Sequence, residues 1–373
     1  NILSLIADAK ASGCAGGKRK KFYMLGLDVS KAYDTVDFSA LRAGMIEMGI
    51  EREFIHYIEL LYRGRSARVV TEYGLSEPYG IERGISQGDP LSCLLFVIFM
   101  ETILKRLRKM NRGYRRGDGV RIFLQAFADD LLIVTDNLKD LEEVGNEAAR
   151  LIRAAGMKIN AKKSDFLTND PDAKKVTIQG EEVKAQEKGG SIRYLGIWID
   201  QNLDFKVNTS KMVGKVMRKI EKLALAGLPL RAVIQILNEC VTPCIQFVAR
   251  NAPVRQEALR EIEKQYLKVV RMASSKIQER DPKDILFLTD MEGGLGLKHP
   301  TEVYETTVLL QIVARLADPE SEEGRALLEE VRTLETLWSR ERDILEHPED
   351  YTKKKERPGV LVPEAIRIMA KKR

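Results

Sequence analysis

Apolar positions follow one rhythm in the first half of the chain and another in the second. Up to about Asp204, short apolar runs of strand length alternate with helical spacings; "FYMLGL" from Phe22 and "LLIV" from Leu131 are such runs. Leu41, Met45, Met48, Phe54, Ile55, Ile58 and Leu61 predict two helices broken near Gly49. "RSARVVTEYGLSEPYGI" predicts two short strands around a turn. Pro90 to Lys109 predicts a long helix, apolar on nearly all sides at first and therefore buried. A further helix is expected from about Leu138 to Ala155, then short strands that include "IRYLGIWID". Beyond Asp204 the pattern turns amphipathic. Three helices are expected over 211–225, 230–247 and 255–272, punctuated by Pro229, Pro243 and Pro253. From "GGLGLKHP" the chain stays mainly helical, up to a charged tail after about Arg340. No apolar run approaches the roughly 20 residues that span a bilayer, so no membrane partner is expected. "NILSLIADAK" has neither a basic n-region nor a cleavage site, and it lacks an initiator Met, so the sequence reads as a fragment or a processed product.

Composition narrows this only a little. With 373 residues, 44% hydrophobic and 31% charged, the chain suits two or three structural units around real cores. A net charge of +6, from 61 basic and 55 acidic residues, is compatible with a polyanionic partner without requiring one. The basic clusters at Lys18–Lys21, Lys105–Arg116, Lys353–Lys355 and Lys371–Arg373 each read first as solvated faces or tails. Cys14, Cys93, Cys240 and Cys244 form no CxxC pair, and only three histidines are present. That argues against a zinc module and a disulfide framework and fits a reducing intracellular compartment. Cys240 and Cys244, one helical turn apart, read as two small core residues.

One stretch breaks the apolar pattern. In "QAFADDLLIV", Asp129 and Asp130 interrupt a run that otherwise predicts a buried strand. Three explanations fit locally: a turn in which Asp caps the backbone, a buried ion pair, or a divalent-metal site whose cation offsets carboxylate repulsion. A second acidic site bears on the choice. "LGLDVSKAYDTVD" puts Asp28 at the end of another apolar strand, with Asp34 and Asp37 beyond it as local caps. Oxygen donors from two strands, without His or Cys, suit Mg²⁺ or Mn²⁺ rather than zinc. Mg²⁺ keeps water and substrate phosphates in its shell, which points to phosphoryl transfer.

These blocks resemble those of reverse transcriptases, most closely the non-LTR (LINE-type) retrotransposon enzymes. "GLDVSKAYD", "GISQGDPLSCLLF" and "FADD" are similar to the three catalytic blocks, "GMKINAKKS" to the fourth and "YLGIWI" to the primer grip, in the family's order. The likeness spans about residues 22 to 320. It implies an α+β fold: a right-hand polymerase palm, an antiparallel sheet with helices on one face, followed by an all-helical thumb and a C-terminal helical extension. The corresponding boundaries are a residual fingers or linker segment with a basic loop over 1–21, and a palm over 22–205 with a fingers-side insertion at about 38–82. A thumb over 206–290 and an extension with its charged tail over 291–373 complete the layout.

The resemblance also implies roles. Asp28, Asp129 and Asp130 would be catalytic and hold two Mg²⁺ ions, with Mn²⁺ as substitute, at the exposed tip of a hairpin. Tyr33, which by itself reads as an amphipathic-helix residue, occupies the steric-gate position that favours dNTPs. Gln87, Gly88 and Lys163 would contact the nucleotide, and Arg83 and Lys162 nucleic acid. Tyr194, Leu195 and Gly196 would hold the primer end. Cys93 stands where many relatives carry proline, a difference of helix geometry rather than chemistry. The expected partners are an RNA template, a DNA primer and dNTPs. Few residues precede Phe22, so either the family's fingers are lost by truncation, or other polypeptides or a host assembly supply them, or the protein does not polymerise. The expected location is a nuclear or cytoplasmic ribonucleoprotein. The competing reading is a repurposed, non-catalytic RNA-binding or structural subunit, for which an organellar location also fits.

Overall fold

The structure, a computed structural model, describes residues 2–14, 19–117, 119–274, 276–321 and 362–372, with scattered positions between 324 and 331. Lys18, Lys353–Lys355 and Arg373 lie outside the described residues. The chain divides into two compact units, one of Lys21–Leu195 and one of Asn1–Lys20 with Gly196–Arg373. The expected linker over 1–21 therefore carries a helix, α1 (Ile2–Cys14), that belongs to the second unit. Ile2, Leu5, Ile6, Ala7 and Ala9 are among its buried positions, and Ser12 Oγ accepts from the Lys20 N–H (2.9 Å).

The Lys21–Leu195 unit is built on a four-stranded antiparallel sheet. Its strands are β1 (Tyr23–Leu27) and, after the short β2 (Val29–Ser30), the hairpin partners β9 (Leu124–Phe127) and β10 (Asp130–Thr135), with β12 (Asp165–Thr168) at the far edge. The spatial order is β12-β1-β10-β9, with Leu25 opposite Ile133 and Phe166. Tyr23, Leu25, Leu27, Leu131 and Ile133 belong to one core cluster. Met24, Leu132, Val134 and Leu167, which alternate with them, are also buried. Burial on both faces explains why these strands read as continuous apolar runs instead of alternating ones.

Among its described residues this unit has four α-helices: α2 (Phe38–Glu47), α3 (Arg52–Tyr62), α4 (Pro90–Arg108) and α5 (Leu138–Ala154). The expected break near Gly49 is present, and Gly49 adopts φ +75°. Phe96 and Phe99 of α4 and Val144, Ala148 and Ile152 of α5 share the sheet's core cluster. Each fully buried Phe, Val or Ile side chain among them contributes about 1.5–3 kcal/mol. A Cβ at Gly145 would lie 2.5 Å from the Ile178 Cδ1 and 3.0 Å from the Leu25 Cδ2, so a larger residue there would push those side-chain ends aside.

Between α3 and α4 the expected pair of strands is instead two nested ladders. β3 (Ser66–Ala67) pairs with β6 (Tyr79–Gly80), and β4 (Val70–Thr71) with β5 (Gly74–Leu75). The remaining strands are β7 (Tyr114–Arg115), β8 (Arg121–Ile122), β11 (Lys158–Ile159), β13 (Lys175–Ile178), β14 (Glu181–Lys184) and β15 (Ser191–Tyr194). β11 pairs with β2, a contact that matters for the site. Much of the basic cluster of 105–116 is paired locally, Arg108 with Glu101 (2.5 Å) and Arg112 with Glu143 (3.0 Å) and Asp140 (3.5 Å).

The second unit continues with β16 (Ile197–Asp200), and its other regular elements among the described residues are helices: α6 (Lys206–Leu225), α7 (Leu230–Ile236), α8 (Thr242–Ala249), α9 (Gln256–Ala273), α10 (Asp284–Phe287), α11 (Pro300–Leu316) and α12 (Val362–Lys372). α6 starts earlier than the expected 211. A π-helical turn over Leu237–Val241 joins α7 to α8. Pro243 follows it, and with no N–H to donate and a ring that crowds the carbonyl four residues back, it favours the wider turn. Together they make one helix, Leu230–Ala249, with mean hydropathy 1.4 over its most apolar window. It is long and apolar enough to cross a membrane, which corrects the expectation that no such segment exists. Its Val233, Leu237, Val241, Ile245 and Val248 are buried in the unit's own core, as in the central helix of a bundle. Cys244 shares that core but Cys240 is exposed, so only one of the pair is a core residue.

Candidate active site

The two acids of the interrupted run sit on a tight hairpin. Phe127 pairs with Asp130, leaving Ala128 and Asp129 as a two-residue turn. Ala128 takes φ +52°, a left-handed conformation that costs a non-glycine residue about 1–2 kcal/mol. Such strain is held where the flanking ladder over-determines the backbone, here the pairs Leu131–Ala126 and Leu132–Gln125. Asp129 is thus at the tip, and Asp130 opens β10 instead of sharing the tip. Both are exposed, while Leu131 to Thr135 are all buried.

Asp28 reaches this tip through the β1–β10 register. Leu27 lies opposite Leu131, so the next residue of each strand brings Asp28 toward Asp130. The electrostatics agree. The Asp130 carboxyl is pushed above its ordinary range by loss of solvation first, then by the charges of Asp129 and Asp28, with Arg193 pulling the other way. Tyr194 is raised to about 12 by burial and by the charge of Asp130. Tyr33 is raised by burial, by the adjacent Cys93 thiol and by the charge of Asp129. Asp28, Asp129, Asp130, Tyr33 and Tyr194 therefore form one neighbourhood.

The backbone of Asp28 is gripped from both sides by the fourth block. Asn160 N–H donates to the Asp28 carbonyl (2.9 Å), and the Asp28 N–H donates to Ser164 Oγ (3.3 Å). Ser164 is buried and passes its own hydroxyl hydrogen to the Asn160 carbonyl (3.0 Å), closing a small loop of bonds. Between these two residues the 3₁₀ turn Ala161–Lys163 presents Lys162 and Lys163 to solvent. Asn160 and Ser164 were not among the candidate residues. Their four-residue spacing inside "NAKKS" was the available signal.

The second block is strapped onto the first in the same way. Gly84 N–H donates to Val36 O and Ile85 N–H to Tyr33 O, both at 2.9 Å. Gly84 takes φ +86°, and a Cβ there would stand 2.6 Å from the Asp34 carbonyl oxygen, so only glycine fits. Arg65, absent from the sequence expectations, donates to the Gly84 carbonyl (2.6 Å) and Ser86 Oγ (3.0 Å) with its guanidinium over the Tyr62 ring. Gln87 is exposed and reaches Asp34 at 3.5 Å; Gly88, at φ +92°, is exposed beside it. Asp37 caps α2 by accepting from Ala40 N–H (3.0 Å), as expected of a local cap. Arg83 is exposed, and its charge is one of the causes that lower the Asp37 pKa. Leu195 and Gly196 both take left-handed backbone, φ +47° and +82°, where the chain passes from one unit to the other. Cys93 is exposed on α4 and contributes to the raised pKa of Tyr33.

Hard oxygen donors that raise one another's pKa fit a divalent cation, whose charge would relieve that repulsion. Among the described residues no group of three or more His, Cys, Asp or Glu side chains is gathered closely enough to hold a metal ion without other ligands. Mg²⁺ does not need one, because it takes most of its shell from water and phosphate.

Residues 5–199, just over half of the chain, match the family model described as reverse transcriptase (RNA-dependent DNA polymerase). The chain belongs to the reverse transcriptase family, and its sheet is a polymerase palm-type fold. Its relatives are of the non-LTR retrotransposon kind. It is 27% identical over 290 residues to the Pol polyprotein of retrotransposable element R2 from Popillia japonica, covering 75% of this chain and 40% of that protein. It is 25% identical over 212 residues to the R2DM polyprotein of Drosophila melanogaster, covering 54% and 20%. It is 32% identical over 144 residues to a transposon TX1 protein of Xenopus laevis, covering 38% and 11%. The chain thus spans less than half the length of these relatives. Among solved structures, it resembles telomerase from Candida Tropicalis in complex with a fragment of telomeric RNA, at 13% identity and a TM-score of 0.43, covering 90% of this chain and 52% of that one.

Proposed function

We propose that this chain carries the nucleotidyl-transfer site of an RNA-directed DNA polymerase, which adds dNTPs to a primer 3′-hydroxyl on an RNA template. The observation that carries the reading is the convergence of Asp28, Asp129 and Asp130, from segments far apart in sequence, on an exposed hairpin tip within a reverse transcriptase family match. Asp28, Asp129 and Asp130 would hold two Mg²⁺ ions, whose charge activates the attacking hydroxyl and neutralises the departing pyrophosphate.

The protein's own groups have separate tasks in this reading. Asn160 and Ser164 keep Asp28 in place. Tyr33 presents its ring where a 2′-hydroxyl would otherwise fit and so favours dNTPs. Gln87 and Gly88 lie along the nucleotide, Lys163 meets its phosphates, and Lys162 and Arg83 contact nucleic acid. Tyr194, Leu195 and Gly196 hold the primer end. The helical unit acts as the thumb. Along α6, Lys211, Lys215, Arg218 and Lys222 recur at intervals of four, three and four residues on one exposed face, a stripe suited to a phosphate backbone.

Primer extension on an RNA template, with Mg²⁺ and dNTPs, tests this. Asp129→Asn should lower extension by more than about a hundredfold, since several kcal/mol of charge stabilisation depend on it. Absence of extension by the wild-type chain, also with a fingers polypeptide supplied in trans, together with retained RNA binding, would replace this reading with that of a non-catalytic RNA-binding subunit.

A further inference from the structure

The sheet face that carries the candidate catalytic acids holds a further carboxylate. Tyr23, Leu25 and Leu27 of β1 belong to the core cluster, so Met24 and Gly26 point to the opposite face. Asp165 lies directly across from Gly26 on β12 and Leu132 across from it on β10, so all three share that face. Asp28 and Asp130 stand one row further along it. Met24, Leu132, Val134 and Leu167 of the same face are buried and apolar. A half-buried carboxylate among them needs a specific partner. That partner is Gln186, whose Nε2 donates to Asp165 Oδ1 at 3.1 Å. Burial raises the Asp165 carboxyl above its ordinary range, and the Gln186 bond draws it back down. Gln186 is pinned a second time through its backbone, N–H to the Phe166 carbonyl at 2.8 Å, beside a bridge between Phe166 and Ala185. Its side chain also packs against the turn that follows: a Cβ at Gly190 would stand 3.1 Å from the Gln186 Cβ and 3.2 Å from its Oε1. Gly190 N–H closes that turn onto the Glu187 carbonyl (2.7 Å), and β15 starts at the next residue, packs beside β12 and ends on Tyr194. Ser164, just before Asp165, accepts from the Asp28 N–H. Two adjacent residues thus hold Asp28 with one side chain and the approach to Tyr194 with the other.

We propose that Asp165 and Gln186 are positioning residues for the primer terminus, which lock the strand carrying Tyr194 at a fixed offset from Asp28. The inference rests on the nucleotide-addition reading of the same site, in which Tyr194 holds the primer end. The physical reason is tolerance. Transfer to a 3′-hydroxyl needs that oxygen within about 0.5 Å of its productive place, so whatever seats the primer must itself be fixed against the catalytic sheet. β15 is four residues long and is not a member of the four-stranded sheet, so no ladder of backbone bonds to that sheet sets its offset. The Asp165–Gln186 bond supplies the tie. A hydrogen bond to a carboxylate is of the stronger kind, and a half-buried place shields it from competing water. Both residues act through Tyr194.

Steady-state primer extension by the full chain, with primer–template and dNTP varied separately, tests this. Asp165→Ala and Gln186→Ala should each raise KM for primer–template by roughly tenfold, the lower end of what a hydrogen bond to a charged group supports, and leave KM for dNTP unchanged. Asp165→Asn keeps the accepting oxygen and should stay near wild type. Gln186→Glu sets two carboxylates against each other and should match the alanine variants. Combined with Asp165→Asn it restores one donor and one acceptor with their roles exchanged, and KM for primer–template should recover. General destabilisation would change both KM values or neither, and not primer–template alone. A second readout needs no turnover: amide hydrogen exchange over Ser191–Tyr194 should quicken in Asp165→Ala and slow again in the exchanged pair. Gln186→Glu and the exchanged pair keep the side chains close to their original size, so the comparison survives if an alanine variant does not fold. An unchanged primer–template KM in Gln186→Glu would overturn the proposal, and so would an exchanged pair that fails to recover. If the wild-type chain adds no nucleotide at all, the underlying reading fails and the primer role falls with it. Unaltered exchange over β15 in variants of a chain that does extend primers sinks the tie alone.

Discussion

Asp130 shows how one residue can oppose folding for the sake of a site. Its carboxyl is raised, so the folded state binds its proton more tightly than the unfolded chain does. A raised carboxylate pKa contributes stability below the unfolded value of about 3.9, and that contribution is lost as pH rises through the folded value. At neutral pH the ionised cluster is therefore a small liability. Asp130→Asn should raise the melting temperature at pH 7 in metal-free buffer, by no more than about 2 °C because water screens this exposed group, and the gain should vanish near pH 3. An unchanged or lower melting temperature at pH 7 would show that the neighbouring acids do not repel. Ser164 works in the opposite direction. Ser164→Ala leaves the Asp28 N–H without its partner in a buried setting, at a cost of about 1–3 kcal/mol. Chemical denaturation should register that loss, and primer extension should fall with it because Asp28 loses one of its two backbone restraints.

At the scale of elements, the strongly periodic or strongly apolar segments were legible and the short ones were not. The break between α2 and α3, the span of α4 and the span of α5 follow the apolar spacing closely, because each buries a continuous face against one core. The nested ladders between Ser66 and Gly80 were read as a single pair of strands, since two-residue strands carry no period. The π turn before Pro243 and the early start of α6 depend on packing that spacing does not record. Gly84 offers a direct test of how the second block is mounted. Gly84→Ala meets both a positive φ and the Asp34 backbone, which cannot yield as a side-chain end can, and should cost more than about 1 kcal/mol. Nucleotide selectivity should suffer with it, because the same strap carries the Ile85 bond to Tyr33.

At the scale of the whole molecule, where the charge sits matters more than its sum. A net +6 is modest, but the stripe on α6 concentrates four cations on one face. Binding to an RNA–primer duplex should weaken linearly in log–log form with salt, and Lys215→Ala or Lys222→Ala should each reduce that slope by about 1. A slope unaffected by either substitution would remove α6 from the nucleic-acid path. The division into two units also cuts the expected primer-grip turn between Leu195 and Gly196, some residues before the expected end of the palm at 205.

By itself the sequence determined the kind of chemistry and most of the scaffold. Carboxylates inside apolar runs are conspicuous because burial normally excludes them, and the blocks around them occur in the order of one family. Tertiary structure decided how those groups are held. The register that brings Asp28 to Asp130, the Asn160–Ser164 grip and the stacking of Tyr33 on Phe96 all join residues distant in sequence. Such contacts arise from strand register and backbone hydrogen bonds, which depend on the folded path of the chain and leave little trace in the local spacing of apolar and polar residues.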